Sequence, residues 1–393
     1  MSKIKVCAIF EIASDEHVNK DVIQVPLTLA KLSGAVEVYL IARPNGYQKK
    51  LKSVINLIPY GEVIEANEEN IRKHNFRALK TSADWYSKAC RKAADYGNVL
   101  FMYPHFGNPV RGAWQFKLRN YIKFRSSFVY LKMDTNVQPK FYPSGKIAKF
   151  KEALIDKFRY FYFSPIDVIS TESSESVKNL KDIYPALIEK IKLVKNCPVN
   201  IGGRQELNRI PKEKVFINVG RLGNWQKATD VLLLSWIIAS EDCKGWKLKL
   251  VGPCEESFKN HWLKVYEKCG LADRLIWKGP VHDPDQLAKE YSTAECFVLT
   301  SRHESGPLVF SESVLRGCSF ISTPVGEIPS IFDYEKEGIF PIDNVEGLVK
   351  LMIRFANDDS LRRRQSEYLM SKMNDRTWEI QLKQVSDQII IKL

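Results

Sequence analysis

Two stretches of this chain set charge beside glycine between apolar runs, a combination that could do chemistry. The first is Gly220-Arg221-Leu222-Gly223-Asn224-Trp225-Gln226-Lys227, between KVFINV and ATDVLLLSWIIA. A strand, a glycine-containing turn and a helix N-terminus leave backbone N–H groups aimed at an anion. Arg221 and Lys227 add two cations to the same turn, and a diphosphate suits it. A solvated loop with two surface cations accounts for the same residues, and no Walker-type G-x-x-x-x-G-K-[ST] occurs. The second stretch runs from Arg302 through His303, Glu304, Ser305, Gly306, Pro307, Leu308 and Val309 to Glu312, after the apolar ECFVLT. Glu304 falls in the turn. Ser305, Gly306 and Leu308 offer backbone N–H groups, Gly306 permits close approach and Pro307 suits a first helical turn. Two carboxylates here suit paired hydroxyls of a sugar and a ribose. A favourable charge at a helix start and a surface glutamate are the plain alternatives. As a hydrolytic pair they fit poorly, because eight helical residues span ~12 Å and such pairs sit ~5–9.5 Å apart.

Two further candidates are weaker in chemistry. His105, in FMYPHFGNP, follows a strand-like run and can donate to a sugar hydroxyl or a departing phosphate; an ordinary loop histidine reads the same. Asp283-Pro284-Asp285 could hold a metal, but it reads better as an N-cap followed by proline at the first helical position. No metal is expected.

These residues need elements to hold them. Apolar runs at 4–10, 36–41, 99–103, 128–133 and 168–171, and again at 215–219, 247–251, 275–277, 296–300 and 319–322, read as buried strands. Between them lie helix-like stretches at 22–32, 113–124 and 147–161, then at 228–239, 257–268, 286–291, 309–316 and 346–356. Strand and helix alternating at this spacing implies parallel sheets covered on both faces. Ligands of such sheets bind beyond the carboxyl ends of the strands. The 393 residues exceed one core at ~100–200 residues per domain. The expected division is a Rossmann-like domain over 1–198, a linker at 199–213, a second Rossmann-like domain over 214–375 and a C-terminal helical turn or two over 376–393. The fold class is therefore α/β, with two doubly wound domains expected to face each other across a cleft.

Charge is unevenly spread. Residues 1–200 carry 32 Lys and Arg against 19 Asp and Glu, whereas residues 201–393 carry 27 of each. The excess peaks between Arg111 and Tyr160, where twelve basic and three acidic residues are interleaved with eleven aromatics. Such a segment favours an anionic partner. A nucleic acid is disfavoured, since no helix-turn-helix, zinc or RNA-binding signature is present. The eight cysteines form no C-x-x-C pair, so a reducing cytoplasm is expected. No apolar run approaches the ~20 residues of a membrane span, and no signal-peptide pattern opens the chain.

In order, VGRLGNWQKATDVLL, LKLVGP, KGPVHDPDQLAKEYSTAECFVLTSRHESGPLVFSESVLRG and STPVGEIPSIF resemble the motifs of retaining GT-B glycosyltransferases. The family is the large GT4-like one called glycosyl transferases group 1, with its E-x7-E pair at Glu304 and Glu312. The resemblance covers about 214–333. It implies a GT-B fold and transfer of a sugar, with retention, from a UDP- or GDP-linked donor to a glycan or lipid-linked hydroxyl, in surface polysaccharide or glycoconjugate synthesis. It places Arg221 and Lys227 on the donor diphosphate, Glu304 on the donor sugar, Glu312 on the ribose and Gly279, Pro280 and Val281 near the base. The Ser305–Val309 amides would support sugar and phosphate, and His105 would lie near the sugar. No cofactor beyond the nucleotide sugar is implied. Three features depart from the family: one extra residue between Arg221 and Lys227, Cys197-Pro198-Val199-Asn200 in place of Pro-Asn-Gly, and no glycine in the loop FEIASDEHVNKD. With this acceptor, Arg111–Arg159 is expected to dock on anionic lipid. A sugar-nucleotide epimerase or hydrolase is the alternative on the same architecture.

Overall fold

The structure is a computed structural model that describes residues 3–61, 79–103, 107–124, 126–133, 158, 160–199, 210–332 and 337–393. The chain divides into two units, Met1–Val199 with Thr377–Leu393, and Asn200–Arg376.

The first unit is built on seven parallel strands: β1 (Lys5–Ile9), β2 (Glu37–Ala42), β3 (Asn56–Pro59), β4 (Val99–Met102), β5 (Phe128–Lys132), β6 (Val168–Thr171) and β7 (Ile191–Leu193). Their order is β3-β2-β1-β4-β5-β6-β7, so the direction of winding reverses between β1 and β4. VLFM, FVYLK and VIST are buried at every position. A central parallel strand is covered on both faces, which is why these runs are apolar without alternation. The two edge strands are different. NLIP and IKL are short and partly exposed, carry proline or lysine, and give no apolar run to read.

Beyond the carboxyl ends of this sheet lies a buried ion cluster. Lys132, fully buried, donates to Asp21 Oδ2 at 2.7 Å, to Asn196 Oδ1 at 3.0 Å and to Glu172. One ammonium thus ties the ends of β5, β6 and β7 to the helix Asp21–Ser33.

The tail is longer than one or two turns. Trp378–Lys392 is a helix of 15 residues, and Trp378, Leu382, Val385 and Ile389 enter the same cluster as Val22, Val25 and Leu29. Spacings of four, three and four put those side chains on one stripe. The last residues of the chain therefore complete the core of the first unit.

The second unit repeats the plan with β8 (Glu213–Val219), β9 (Lys247–Val251), β10 (Leu275–Gly279), β11 (Ala294–Leu299) and β12 (Ser319–Ser322), all parallel in the order β10-β9-β8-β11-β12. Phe216, Leu248, Leu250, Cys296 and Val298 face one core. Val215, Ile217, Val251, Phe297 and Phe320 face the other. Here the winding reverses between β8 and β11.

Two glycines let the turns beyond these strands touch. A Cβ on Gly252 (φ +139°) would lie 1.8 Å from the Gly220 carbonyl oxygen, and one on Gly326 (φ +57°) would lie 2.2 Å from that of Ser305. The Gly326 turn has little room to retreat. Its neighbour Glu327 is gripped by the buried Arg376, whose Nη1 donates to Oε1 at 3.0 Å while Nη2 donates to Oε2.

Gly326→Ala combines overpacking with a left-handed alanine, and should destabilise the second unit by roughly 2–4 kcal/mol in urea denaturation. A loss below about 1 kcal/mol would mean the turn can move. Leu382→Ala should cost the first unit about 2–5 kcal/mol, as for other buried leucines. An unchanged urea midpoint would show that the final helix is not part of that core.

Candidate functional site

The loops after β8 and β11 flank the reversal point of the second sheet, the place where open α/β sheets bind ligands. They bring together two side chains from the two stretches singled out by chemistry. Lys227 Nζ donates to Glu304 Oε1 at 2.5 Å, and the buried Ser301 Oγ donates to the same oxygen at 2.6 Å. Glu304 is buried and Lys227 half-buried.

The backbones beneath this pair are laced together. Arg302 N donates to Gln226 O at 2.8 Å, Gln226 Nε2 to His303 O at 2.8 Å and Thr300 Oγ1 to Lys227 O at 2.9 Å. Asn224 Oδ1 accepts from Gln226 N at 2.9 Å, starting the short 3-10 turn Trp225–Lys227. That turn ends on Ala228, a buried residue with φ +47°. A non-glycine residue there stores about 1–2 kcal/mol of strain. It sits directly after Lys227 and starts the helix Thr229–Ala239.

Arg221 is exposed and its Nη2 donates to Gln226 Oε1 at 3.2 Å, which steers the guanidinium along the same loop. Arg302 braces the outer side. It donates to Trp225 O at 2.5 Å and to Asp343 at 2.7 Å, and its guanidinium lies 5.3 Å from the Trp225 ring centre.

Past Glu304 the chain turns into the helix Leu308–Val314, for which Pro307 is the N-cap rather than a residue of the first turn. Ser305 Oγ is buried and has no hydrogen-bond partner among the described residues. Glu312, half-buried on that helix, accepts at 2.9 Å from Tyr291. Burial, with the Glu312 charge adding, raises the Tyr291 phenol well above its ordinary value, so Tyr291 remains the donor. Gly279 ends β10 with φ +78° and accepts from Gly252 N at 2.9 Å. Pro280 is exposed, and Val281 and Val309 pack in part on the cluster around Tyr291 and Phe310.

Other expected positions fall elsewhere. His105 lies outside the described residues, as do 125, 134–157 and 159 within the basic segment. Asp283 caps the helix Pro284–Thr293, accepting from Asp285 N at 3.3 Å. Among the described residues no three His, Cys, Asp or Glu side chains form a group able to hold a metal. Reading the sequence gave no role to Ser301, Thr300, Gln226 or Gly326. Thr300 ends the apolar ECFVLT and Ser301 follows it, neither with a signal of its own; Gly326 was visible only as part of STPVGEIPSIF.

Comparison with known proteins bears on this unit. The family model of glycosyl transferases group 1 matches residues 203–371. D-inositol 3-phosphate glycosyltransferase of Segniliparus rotundus is 32% identical over 129 residues, 32% of this chain and 28% of that protein. N-acetyl-alpha-D-glucosaminyl L-malate synthase of Bacillus anthracis is 25% identical over 201 residues, 50% of each chain. The matches thus span half or less of these curated relatives. Anabaena HepE, solved in complex with UDP, shares the fold over 100% of both chains with a TM-score of 0.66 at 15% identity. Residues 203–371 thus match the model of the glycosyl transferases group 1, and the chain follows the GT-B plan of two parallel-sheet Rossmann-like units.

Proposed function

We propose that this protein is a retaining, metal-independent glycosyltransferase that moves a sugar from a UDP- or GDP-linked donor to a hydroxyl of a glycan or lipid-linked acceptor. The setting is surface polysaccharide or glycoconjugate synthesis at the cytoplasmic face of an anionic membrane. The observation that carries the reading is the meeting of Lys227, Glu304 and Ser301 at the reversal point of the second sheet. Both curated relatives are named for making glycosidic products, and the Anabaena neighbour binds UDP.

In this reading Lys227 and Arg221 take the donor diphosphate, and Glu304 takes hydroxyls of the donor sugar. Ser305 Oγ, buried and without a partner among the described residues, is placed to bond the same ligand, since an unpaired buried hydroxyl costs about 1–3 kcal/mol. Glu312 holds the ribose with its second oxygen steadied by Tyr291, and Gly279, Pro280 and Val281 border the base. The acceptor oxygen attacks the anomeric carbon on the face the nucleotide leaves. The new C–O bond forms as the bond to the phosphate oxygen breaks, and the acceptor proton passes to that departing oxygen. Negative charge grows on the phosphate in the transition state. Two preplaced cations stabilise it without having to reorganise; the mechanism therefore asks nothing of a metal. His105, outside the described residues, is assigned to the donor sugar.

Free of ligand, Lys227 has Glu304 as its partner. Donor binding then exchanges a carboxylate for a diphosphate at the ammonium and releases Glu304 to the sugar hydroxyls.

UDP or GDP should raise the melting temperature of the protein, and Lys227→Ala or Arg221→Ala should abolish that rise; a full rise in both variants would remove them from the diphosphate. Lys227→Ala should also lower kcat roughly 100–1,000-fold, as for other lost oxyanion donors. The anomeric signals of donor and product, followed by proton NMR, should show the same configuration, and inversion would overturn the mechanism.

A further inference from the structure

The loop after β8 is held in two parts. Its start is fixed from below: Leu222 N donates to Pro253 O at 2.9 Å and Gly223 N to Thr229 Oγ1 at 3.0 Å. Among the described residues, the bonds that leave Trp225, Gln226 and Lys227 all go to residues 300–304. Arg302 is the centre of that hold. Its backbone N–H donates to Gln226 O at 2.8 Å and its Nη1 to Trp225 O at 2.5 Å. Its Nε donates to Asp343 Oδ1 at 2.7 Å, and its Nη2 lies 3.6 Å from Asp230 Oδ2. One planar group thus grips the turn before Lys227, the first turn of the helix Thr229–Ala239 and the residues that lead into the helix Val345–Asn357.

Strain marks the same place. Among the described residues, Ala228 (φ +47°) and Asp343 (φ +59°) are the two non-glycine residues in the left-handed region. Ala228 directly follows the gripped turn and donates from N to Trp225 O at 3.3 Å, while Asp343 is the carboxylate partner of Arg302. A backbone stays in that conformation only where its surroundings hold it there, and such residues gather at functional sites.

Charge separates two roles that Arg302 might play. With carboxylates at 2.7 Å and 3.6 Å, its single positive charge is outweighed locally, so it is a poor lure for a diphosphate. What it supplies is geometry, a fork of donors fixed in one plane.

We infer that Arg302 is a positioning residue: by holding Trp225 and Gln226 it sets the Lys227 ammonium where the donor diphosphate needs it, and Asp343 and Asp230 hold Arg302 in turn. The inference rests on the proposed reading of Lys227 as a diphosphate cation. It deepens that reading by naming the side chain on which the placement depends.

The test titrates the full chain with UDP and with GDP by calorimetry, as wild type, Arg302→Gln, Arg302→Lys and Asp343→Gly, and follows backbone hydrogen exchange in each ligand-free protein. Arg302→Gln should weaken the nucleotide bound by wild type roughly tenfold or more, because the charge-assisted bonds to the loop are lost. Arg302→Lys should do nearly as badly, since an ammonium keeps the charge and loses the planar fork. Asp343→Gly decides by sign. Glycine suits the left-handed backbone and Asp343 is exposed, so the fold survives this change. Removing a negative charge would tighten nucleotide binding if attraction governed; on the positioning account binding weakens roughly threefold or more. In ligand-free Arg302→Gln, the Gln226, Lys227 and Ala228 amides should exchange roughly tenfold faster while those of β8 and β9 keep their protection, a local opening that a general loss of stability does not give. Full rescue by lysine, unchanged or tighter binding in Asp343→Gly, or unchanged exchange in the loop would each overturn the inference. A wild type that binds neither nucleotide would defeat the donor reading, and the exchange data would then decide by themselves whether Arg302 sets Lys227.

Discussion

Lys227 and Glu304 stand 77 residues apart in the chain and 2.5 Å apart in space. Holding an ammonium and a carboxylate this close is the constraint on which the second unit is organised. A half-buried cation and a buried anion are costly to desolvate, and removing either leaves the other uncompensated. The fold meets the constraint by setting β8 beside β11, so that two loops leave adjacent strand ends on either side of the reversal. Ser301, Thr300, Gln226 and Arg302 then fix those loops to each other through both side chains and backbone. Gly326 and Gly252 supply the close backbone approaches that side chains would block. A site held by so many local bonds is pre-organised, which is what stabilising developing charge demands.

The architecture was legible because the strands are buried on both faces. VFINV, LKLV, CFVL and SFIS read as apolar runs for that reason, and their spacing announces the helices between them. What escaped reading escaped for physical causes. The helix Asp359–Ser371 has the polar sequence DSLRRRQSEYLMS, yet it buries Leu361, Arg362, Gln365 and Leu369. Arg362 lies over the Trp246 ring at 5.0 Å, and Gln365 exchanges hydrogen bonds with the backbone of Phe320. A stripe half made of arginine and glutamine has no hydrophobic periodicity to detect. Within the site, Lys227 and Glu304 were each visible in their loops. Their mutual bond was not, because it depends on strand order rather than on spacing along the chain.

The two halves of the chain differ in charge. The second half is neutral, and its notable cations are placed singly, each with a geometric partner. The first half carries the entire excess of positive charge, much of it spread over a segment with exposed rings. A diffuse field of this kind acts at the range of the Debye length and orients a molecule toward an acidic surface. The point charges at Arg221 and Lys227 act only at contact.

The return of Trp378–Lys392 to the first unit also fixes an order of events during synthesis. Residues 200–376 are contiguous and can close their sheet as soon as they leave the ribosome. The first unit must wait, with the apolar face of Asp21–Ser33 uncovered, until residues 378–392 have been made. A chain that stopped before Trp378 would therefore injure the part of the molecule that was made first.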